Sequence, residues 1–399
     1  MKKLTHYQRL IISVCLSSVV TFANIYWLQP LLPMIQESFQ VSTLDAHLSM
    51  SAPLLGMGLG LLVFAPISDA AGRGPVLLTG IALGVCVSVW LPLVEDYSLF
   101  LAMRFLQGTF FAVCPAVAVP FFADELRKSW IATAVGFYIA ANTLGGLAAR
   151  LIGGISSEYL GNLHAAGYVI AGISTLLFLV IYYSLPKQRH FKPTPFHIGS
   201  CLAGYLSHIR KPKLVMAYMI IGIGFGCFVN LTNYLMTVLE SAPYEMPADM
   251  RSLMFLTLLG GTTSSSLAGK FAKNHSPLAG IGVGLSIMLA AVMLLSNSHL
   301  FVVISGMILL SFGFFFCHAN ASTLIGKSVR KAKGSAQALY SLFYYSGASL
   351  GVLYFEPHFG SSGWEGVLVA AGIALVAAMV LVIVCQIVSY RHKVEPRAI

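Results

Sequence analysis

Charge is what this sequence has least of. Asp, Glu, Lys and Arg make up 10% of the 399 residues, where a soluble domain carries about 25%. So few ionic groups cannot cover the water-facing surface of a chain this long, which excludes a soluble globular enzyme. Carboxylates are the scarcer sign, 14 against 24 Lys and Arg, and none lies well inside a hydrophobic run. No phosphate loop of the form G-x-x-x-x-G-K-[ST], no nucleophile motif and no Cys/His spacing of a zinc site occurs, so neither an enzyme nor an ATP-driven pump is expected, and no cofactor or metal. Of the seven cysteines, Cys15, Cys86, Cys114, Cys227, Cys317 and Cys385 lie in hydrophobic runs and Cys201 between two of them. None is expected on an oxidising side, so no disulfide is expected.

What the sequence has instead is apolar length. The hydrophobic set reaches 57%, and a membrane helix needs about 20 mainly apolar residues. Twelve stretches qualify: 10–34, 47–67, 75–94, 99–122, 130–154, 164–185, 214–238, 250–269, 277–296, 299–325, 335–356 and 366–390. They are too long and too free of charge for membrane strands, which alternate polarity over about 10 residues. An all-α membrane protein of twelve transmembrane helices is predicted. The first run, preceded by Lys2 and Lys3, imitates a secretory leader as far as Thr21-Phe22-Ala23. It continues through Trp27, Leu31 and Leu32, and is read as a first span.

Position explains the net charge of +10. With the N-terminus inside, 21 of the 24 Lys and Arg fall on one side of the membrane, leaving Arg104 and Arg150 within spans and Arg251 outside. Ten of the 14 acids fall on the opposite side, and only Asp69, Asp124, Glu125 and Glu395 share the basic one. Lys and Arg accumulate in short cytoplasmic loops. Both termini are therefore expected in the cytoplasm, with the lipid bilayer as partner and no nucleic acid.

The basic, Pro-interrupted stretch 186–213 separates residues 1–185 from 214–399, six spans each, and a short amphipathic helix over Phe196–His208 is expected at the membrane surface. Phe22-Ala23-Asn24-Ile25 matches Phe228-Val229-Asn230-Leu231 at an offset of 206, while Pro75, Tyr138 and Gly145 match Pro277, Tyr340 and Gly347 at 202. These repeats predict two pseudo-symmetric six-helix bundles, with substrate held near mid-membrane where they meet.

Ala65-Pro66-Ile67-Ser68-Asp69-Ala70-Ala71-Gly72-Arg73-Gly74-Pro75 resembles the G-x-L-A-D-R-x-G-R-R loop of the major facilitator superfamily. Asp69, Gly72 and Arg73 are kept; Ala65 and Ala70 depart from the pattern. Arg104-Phe105-Leu106-Gln107-Gly108 resembles the family's R-x-x-Q-G element. In the fifth run, Gly145-Gly146 stands where the family's proton-driven exporters carry a Gly-Pro-rich stretch, without the Gly-Pro step. The whole chain is similar to the bacterial inner-membrane exporters of drugs and metabolites with twelve spans. The resemblance implies the major facilitator fold and a secondary active transporter, working as a monomer, that exports a small organic molecule across the inner membrane by alternating access and proton antiport. It implies gating by Asp69, Gly72, Arg73, Asp124 and Glu125. Asp69 would cap the start of span eleven near Gly334 and Ser335, worth about 0.3–1 kcal/mol, and Arg73 would pair with Asp124 or Glu125.

The resemblance places spans one, five, seven and eleven around the cavity. Candidate substrate contacts are Asn24, Tyr26, Gln29, Arg104, Tyr138, Asn142, Arg150, Asn230, Asn233, Tyr234, His318, Tyr340 and Tyr344. The competing explanation for each is helix–helix hydrogen bonding, worth about 1 kcal/mol. A charged side chain at a span centre costs at least about 2.5 kcal/mol, so Arg104 and Arg150 are expected to face a cavity; alternatively, Arg150 reaches the outer interface and pairs with Glu158. Proton coupling is assigned to His318, whose imidazole titrates near neutral pH, with Arg104 as second candidate. Two arginines and no carboxylate suit neutral or anionic substrates. Two alternatives follow: an exporter or facilitator of an anionic metabolite, such as a carboxylate siderophore, with Arg104 and Arg150 as counter-charges, and a non-transporting membrane sensor. Gly56, Gly58, Gly60, Gly347 and Gly351 are read as close-packing positions.

Overall fold

Inside a bilayer every backbone N–H and C=O needs a partner from the chain itself, which favours helices, and among the described residues every regular element is helical. The computed structural model describes residues 5–193, 198–329 and 332–394. Expectations resting on Lys2, Lys3, Phe196, Arg330, Lys331, Glu395 and Arg397 lie outside the described residues.

Helix starts are written in the sequence. Thr5, Ser42, Asp96, Asn162 and Ser276 each accept the backbone N–H three residues on, satisfying one of the donors a first turn leaves open. These caps open α1 (His6–Tyr26), α3 (Thr43–Ala71), α5 (Tyr97–Phe111), α8 (Leu163–Ser184) and α13 (Pro277–Leu295). The remaining helices are α2 (Leu32–Phe39), α4 (Arg73–Trp90), α6 (Val113–Glu125), α7 (Lys128–Leu160), α9 (Ile198–Ile209), α10 (Pro212–Glu240), α11 (Ala248–Leu253), α12 (Gly260–Asn274), α14 (Leu300–Ser328) and α15 (Lys333–Val394).

Ten helical stretches among the described residues are long and apolar enough to cross a membrane; the difference from twelve has two causes. Spans eleven and twelve run together in α15, which breaks its helical geometry at Ser362 and Gly363. Span eight is assembled from α11, a 3-10 stretch over Met254–Leu259 and α12. Its sequence, Gly260-Gly261-Thr262-Thr263-Ser264-Ser265-Ser266, combines poor helix formers with hydroxyls that compete for backbone partners. Ser264, for example, donates to the Phe312 carbonyl of α14. Span one is broken as well: α1 ends at Tyr26, a 3-10 turn covers Gln29–Leu31, and α2 continues to Phe39. Pro30 and Pro33 lack the N–H groups that would carry α1 onward.

The chain divides into two units. The first comprises 1–198 with 239–241 and 245–253; the second comprises 199–238, 242–244 and 254–399. The division falls within the stretch 186–213, between Ile198 and Gly199. In the first unit α1 packs on α7 and α8, and α3 on α5. A core of Trp27, Leu28, Leu31, Ile35, Met50, Phe100 and Leu163 seats the broken end of span one. Segment 245–253 joins this unit because Gly154 leaves room for Ala248 and Ser252, while Glu158 accepts the Ala248 N–H. Glu158 is thus engaged by backbone. In the second unit α13 packs on α14 and α15, and α12 on α14.

Close helix contact uses glycine at matching places. In the first unit, a Cβ on Gly145 would lie 2.6 Å from the Val19 backbone; in the second, a Cβ on Gly347 would lie 2.1 Å from the Gly222 carbonyl oxygen. Gly108 of α5 sits so close to α3 that a Cβ would come within 1.9 Å of the Pro53 carbonyl oxygen. Overpacking of this kind costs about 1–3 kcal/mol. Gly108→Ala and Gly347→Ala are expected to lower the thermal unfolding midpoint in detergent, and Gly172→Ala, with nothing near its Cβ, to leave it unchanged. Equal midpoints for all three would contradict this account of the packing.

Candidate functional site

Five groups of polar or aromatic side chains stand out in the two units, and the first is built around a buried guanidinium. Arg104 is fully buried in α5. Its Nη1 donates to the Asn24 carbonyl at 2.8 Å and its Nη2 to the Ile25 carbonyl at 2.9 Å. These are carbonyls of the last turn of α1, where intrahelical donors run out. Its Nε donates to the Ser49 carbonyl at 3.1 Å. Ser49 lies four residues before Pro53, whose missing N–H orphans that oxygen. Gln107 completes the fork through its side-chain oxygen, and its Nε2 donates to Ser88 at 2.7 Å. Ser88 in turn donates to Asn24 Oδ1 at 2.7 Å. Asn24 Nδ2 donates to the Val20 carbonyl and to Ser174, both at 2.8 Å.

Arg104 and Asn24, expected to face a cavity, are both fully buried, and every bond described for them runs to helices of their own unit; the planar fork of Arg104 tolerates burial because it meets oriented carbonyls. Asn230, the repeat partner of Asn24, is also fully buried. It repeats the bond to its own preceding turn, donating to Gly226 O at 2.8 Å, and adds the Ala348 carbonyl at 3.0 Å. Asn233 and Tyr234 are buried too.

The second group lies at the break of span one. Arg150 of α7 donates from Nε to Gln29 Oε1 at 2.7 Å and from Nη1 to the Gly146 carbonyl at 3.0 Å. Its guanidinium stands 4.1 Å from the centre of the Tyr26 ring, a cation–π arrangement. The partners described for Arg150 thus lie on α7 and at the break of span one. Tyr138 of the same helix is buried, and Asn142 is half-buried and accepts the Ser18 hydroxyl.

The third group is the motif loop. Gly72 takes φ +102° between α3 and α4, a backbone region L side chains avoid. Arg73 Nε donates to Asp124 Oδ2 at 3.1 Å, and its Nη1 meets Ser68 at 2.7 Å and Asp69. Glu125 is buried and accepts the backbone N–H groups of Arg189 at 2.8 Å and His190 at 3.0 Å. The rings of His6 and His190 lie 3.6 and 3.4 Å from its second oxygen. Gln188 accepts the Gly74 N–H at 3.0 Å. Glu125 thus holds the chain after span six, and Asp124 holds Arg73.

The fourth group, in the second unit, is aromatic. The Phe225 and Tyr344 rings stack with centres 3.6 Å apart, and Phe228 stacks on Phe314 at 4.5 Å. His318 stands 5.2 Å from Tyr344, ring to ring. Its Nδ1 is 2.8 Å from the hydroxyl of Tyr340. The fifth group is Tyr234, whose hydroxyl donates to Glu356 at 2.6 Å. The eleventh apolar run ends at Glu356 and its carboxylate is counted with the outer acids; α15 instead continues past Pro357 as far as its break at Ser362, so this carboxylate lies within the helix. Ser88 and Ser174 were missed because they look like ordinary span hydroxyls, and Gln107 was read only as part of the R-x-x-Q-G element. The signal for Ser49 was available in Pro53.

Replacing Arg104 by Met would leave the Asn24, Ile25 and Ser49 carbonyls buried without donors, at about 1–3 kcal/mol each. Arg104→Met is expected to destabilise the protein severely in a thermal unfolding assay, and Arg104→Lys, with one compact ammonium, to restore less than half of the loss. Unchanged stability in Arg104→Met would show that the residue holds nothing together.

A sequence model described as Major Facilitator Superfamily matches residues 14–352. An uncharacterized MFS-type transporter of Bacillus subtilis, YybF, is 29% identical over 365 residues, covering 91% of this chain and 88% of its own. The inner membrane transport protein YnfM of Escherichia coli is 29% identical over 377 residues, covering 94% and 90%. Among solved structures, the nucleoside transporter NupG superposes with a TM-score of 0.76 at 15% identity over 94% of this chain and 99% of its own. The D-xylose-proton symporter superposes with a TM-score of 0.74 at 13% identity over 95% and 97%.

Proposed function

The chain belongs to the major facilitator superfamily, and from that premise we propose that it exports a small neutral or anionic organic molecule in exchange for protons. It is a multi-pass membrane transporter and not an enzyme. In this reading it works as a monomer in the bacterial inner membrane with both termini in the cytoplasm, the orientation that 21 of 24 basic residues favour.

The observation that carries the coupling is the His318–Tyr340 hydrogen bond within the aromatic group of the second unit. An imidazole can change charge near neutral pH, and a phenol at 2.8 Å can donate to its neutral form or accept from its charged form. Tyr344 and Phe225 offer flat faces beside it. In the first unit, Tyr26, Gln29, Arg150, Tyr138 and Asn142 form the group that meets substrate, with the Arg150 charge supporting a neutral or anionic solute over a cation. Arg104 keeps α1, α3 and α5 in register instead of touching substrate. The Asp69–Arg73–Asp124 contacts serve as the gate of this mechanism, and Glu125 as its anchor to the linker.

The test begins with a thermal-shift screen, in which a ligand at 100 times its dissociation constant adds about 2.7 kcal/mol. For a compound so identified, protein in liposomes is expected to accumulate it only under a pH gradient. His318→Gln should abolish the gradient dependence, and Tyr340→Phe should weaken it about fivefold, the equivalent of one hydrogen bond of about 1 kcal/mol. Accumulation that persists without a gradient, in the native protein and in His318→Gln alike, would rule out proton coupling at this site.

A further inference from the structure

Helix α9 has three different faces. Gly204 and His208 lie on the first: a Cβ on Gly204 would meet Ser335 Oγ at 2.7 Å, and His208, buried, has Nε2 3.0 Å from the Ala332 carbonyl. This face is fixed on the start of α15. Leu202, Leu206 and Ile209 form the second, at the i, i+4, i+7 spacing of one helical stripe; they are 55%, 43% and 45% exposed. Ser207 and Arg210, both exposed, lie on the third. About 100° of rotation per residue puts the centre of the apolar stripe roughly 150° from the protein-bound face, with the polar face about 100° beyond it. A helix lying free in water has no use for the middle stripe, and a helix buried in protein would not leave it open.

Charge identifies what covers the stripe. From Pro186 to Lys213 the sequence carries Lys187, Arg189, Lys192, Arg210, Lys211 and Lys213 and no Asp or Glu. Arg210, Lys211 and Lys213 follow the stripe directly. We propose that α9 docks on the bilayer that holds the protein, its Leu202–Leu206–Ile209 stripe in the acyl boundary and Arg210, Lys211 and Lys213 on anionic phospholipid headgroups. Apolar burial beside basic residues is how interfacial helices bind, and each Lys or Arg near an anionic surface strengthens binding about fivefold. Because its other face grips Ala332 and Ser335, docking ties the start of span eleven to the lipid surface. The proposal requires a membrane protein but no particular substrate or coupling ion, so it stands or falls separately from proton-driven export.

The test uses the full chain with Cys15, Cys86 and Cys201, the less buried of its cysteines, replaced by Ser, and an environment-sensitive NBD fluorophore on Leu206→Cys or Ser207→Cys. Each is reconstituted in phosphatidylcholine vesicles with or without phosphatidylglycerol. With the anionic lipid, the Leu206 probe is expected to shift to the blue and be quenched by lipids spin-labelled on their acyl chains, while the Ser207 probe stays water-like. High salt, or the combined Arg210→Gln, Lys211→Gln and Lys213→Gln change, should reverse the Leu206 response; salt gives this answer even if the triple variant folds poorly. A Leu206 probe that stays water-like in both vesicles would overturn the proposal. So would a blue shift without quenching by the spin-labelled lipid, which would mean that protein covers the stripe, or a response identical in the two lipids.

Discussion

The first unit depends on one guanidinium. Span one stops being helical at Tyr26, α3 contains Pro53, and each event orphans carbonyl oxygens in a place water does not reach. Arg104 answers both from a third helix, with donors on three nitrogens aimed at Asn24, Ile25 and Ser49. Gly108, one turn along α5, is what lets that helix come close enough to Pro53. The arginine, the glycine and the prolines therefore form a single solution, and the R-x-x-Q-G run places the supporting amide and the contact glycine side by side one turn after the arginine on one helix.

The second unit meets the same demands with different chemistry. Asn230 repeats the backbone bond of Asn24, and Gly347 repeats the close approach of Gly145. No basic residue occupies α14 from Leu300 to Phe316, the counterpart of α5. Its place is taken by stacked rings around Phe314 and by the His318–Tyr340 pair. Two halves with a common plan thus carry unlike interiors, one holding fixed positive charge and the other a ring system with a titratable member.

Much of the plan was legible in the sequence. Hydrophobic length gave the helical membrane class, but the spans were placed by hydrophobicity alone, and the caps at Thr5, Ser42, Asp96, Asn162 and Ser276 that set several true helix starts went unread. The repeat of Asn24 at Asn230 and of Gly145 at Gly347 was visible as text and has a physical counterpart in matching contacts. The roles of polar span residues were less legible. Arg104, Asn24 and Asn230 looked like cavity residues because composition cannot distinguish an amide that faces a ligand from one that closes a broken helix. The breaks in spans one and eight were hidden for a related reason: a hydropathy window averages over Pro30 and over Gly260-Gly261 without registering the lost hydrogen bonds. Glu356, at the end of the eleventh apolar run, was counted with the outer acids, whereas α15 continues beyond it.

The partners of Arg104 are carbonyls and an amide, dipoles that satisfy its hydrogen bonds without cancelling its charge. A full positive charge therefore stands inside the first unit. Its field acts at a distance, roughly 1.7 kcal/mol on a unit charge 10 Å away at an effective dielectric of 20. Within the bilayer, an anion drawn toward this unit moves down a potential, and a cation climbs it, before either touches a side chain.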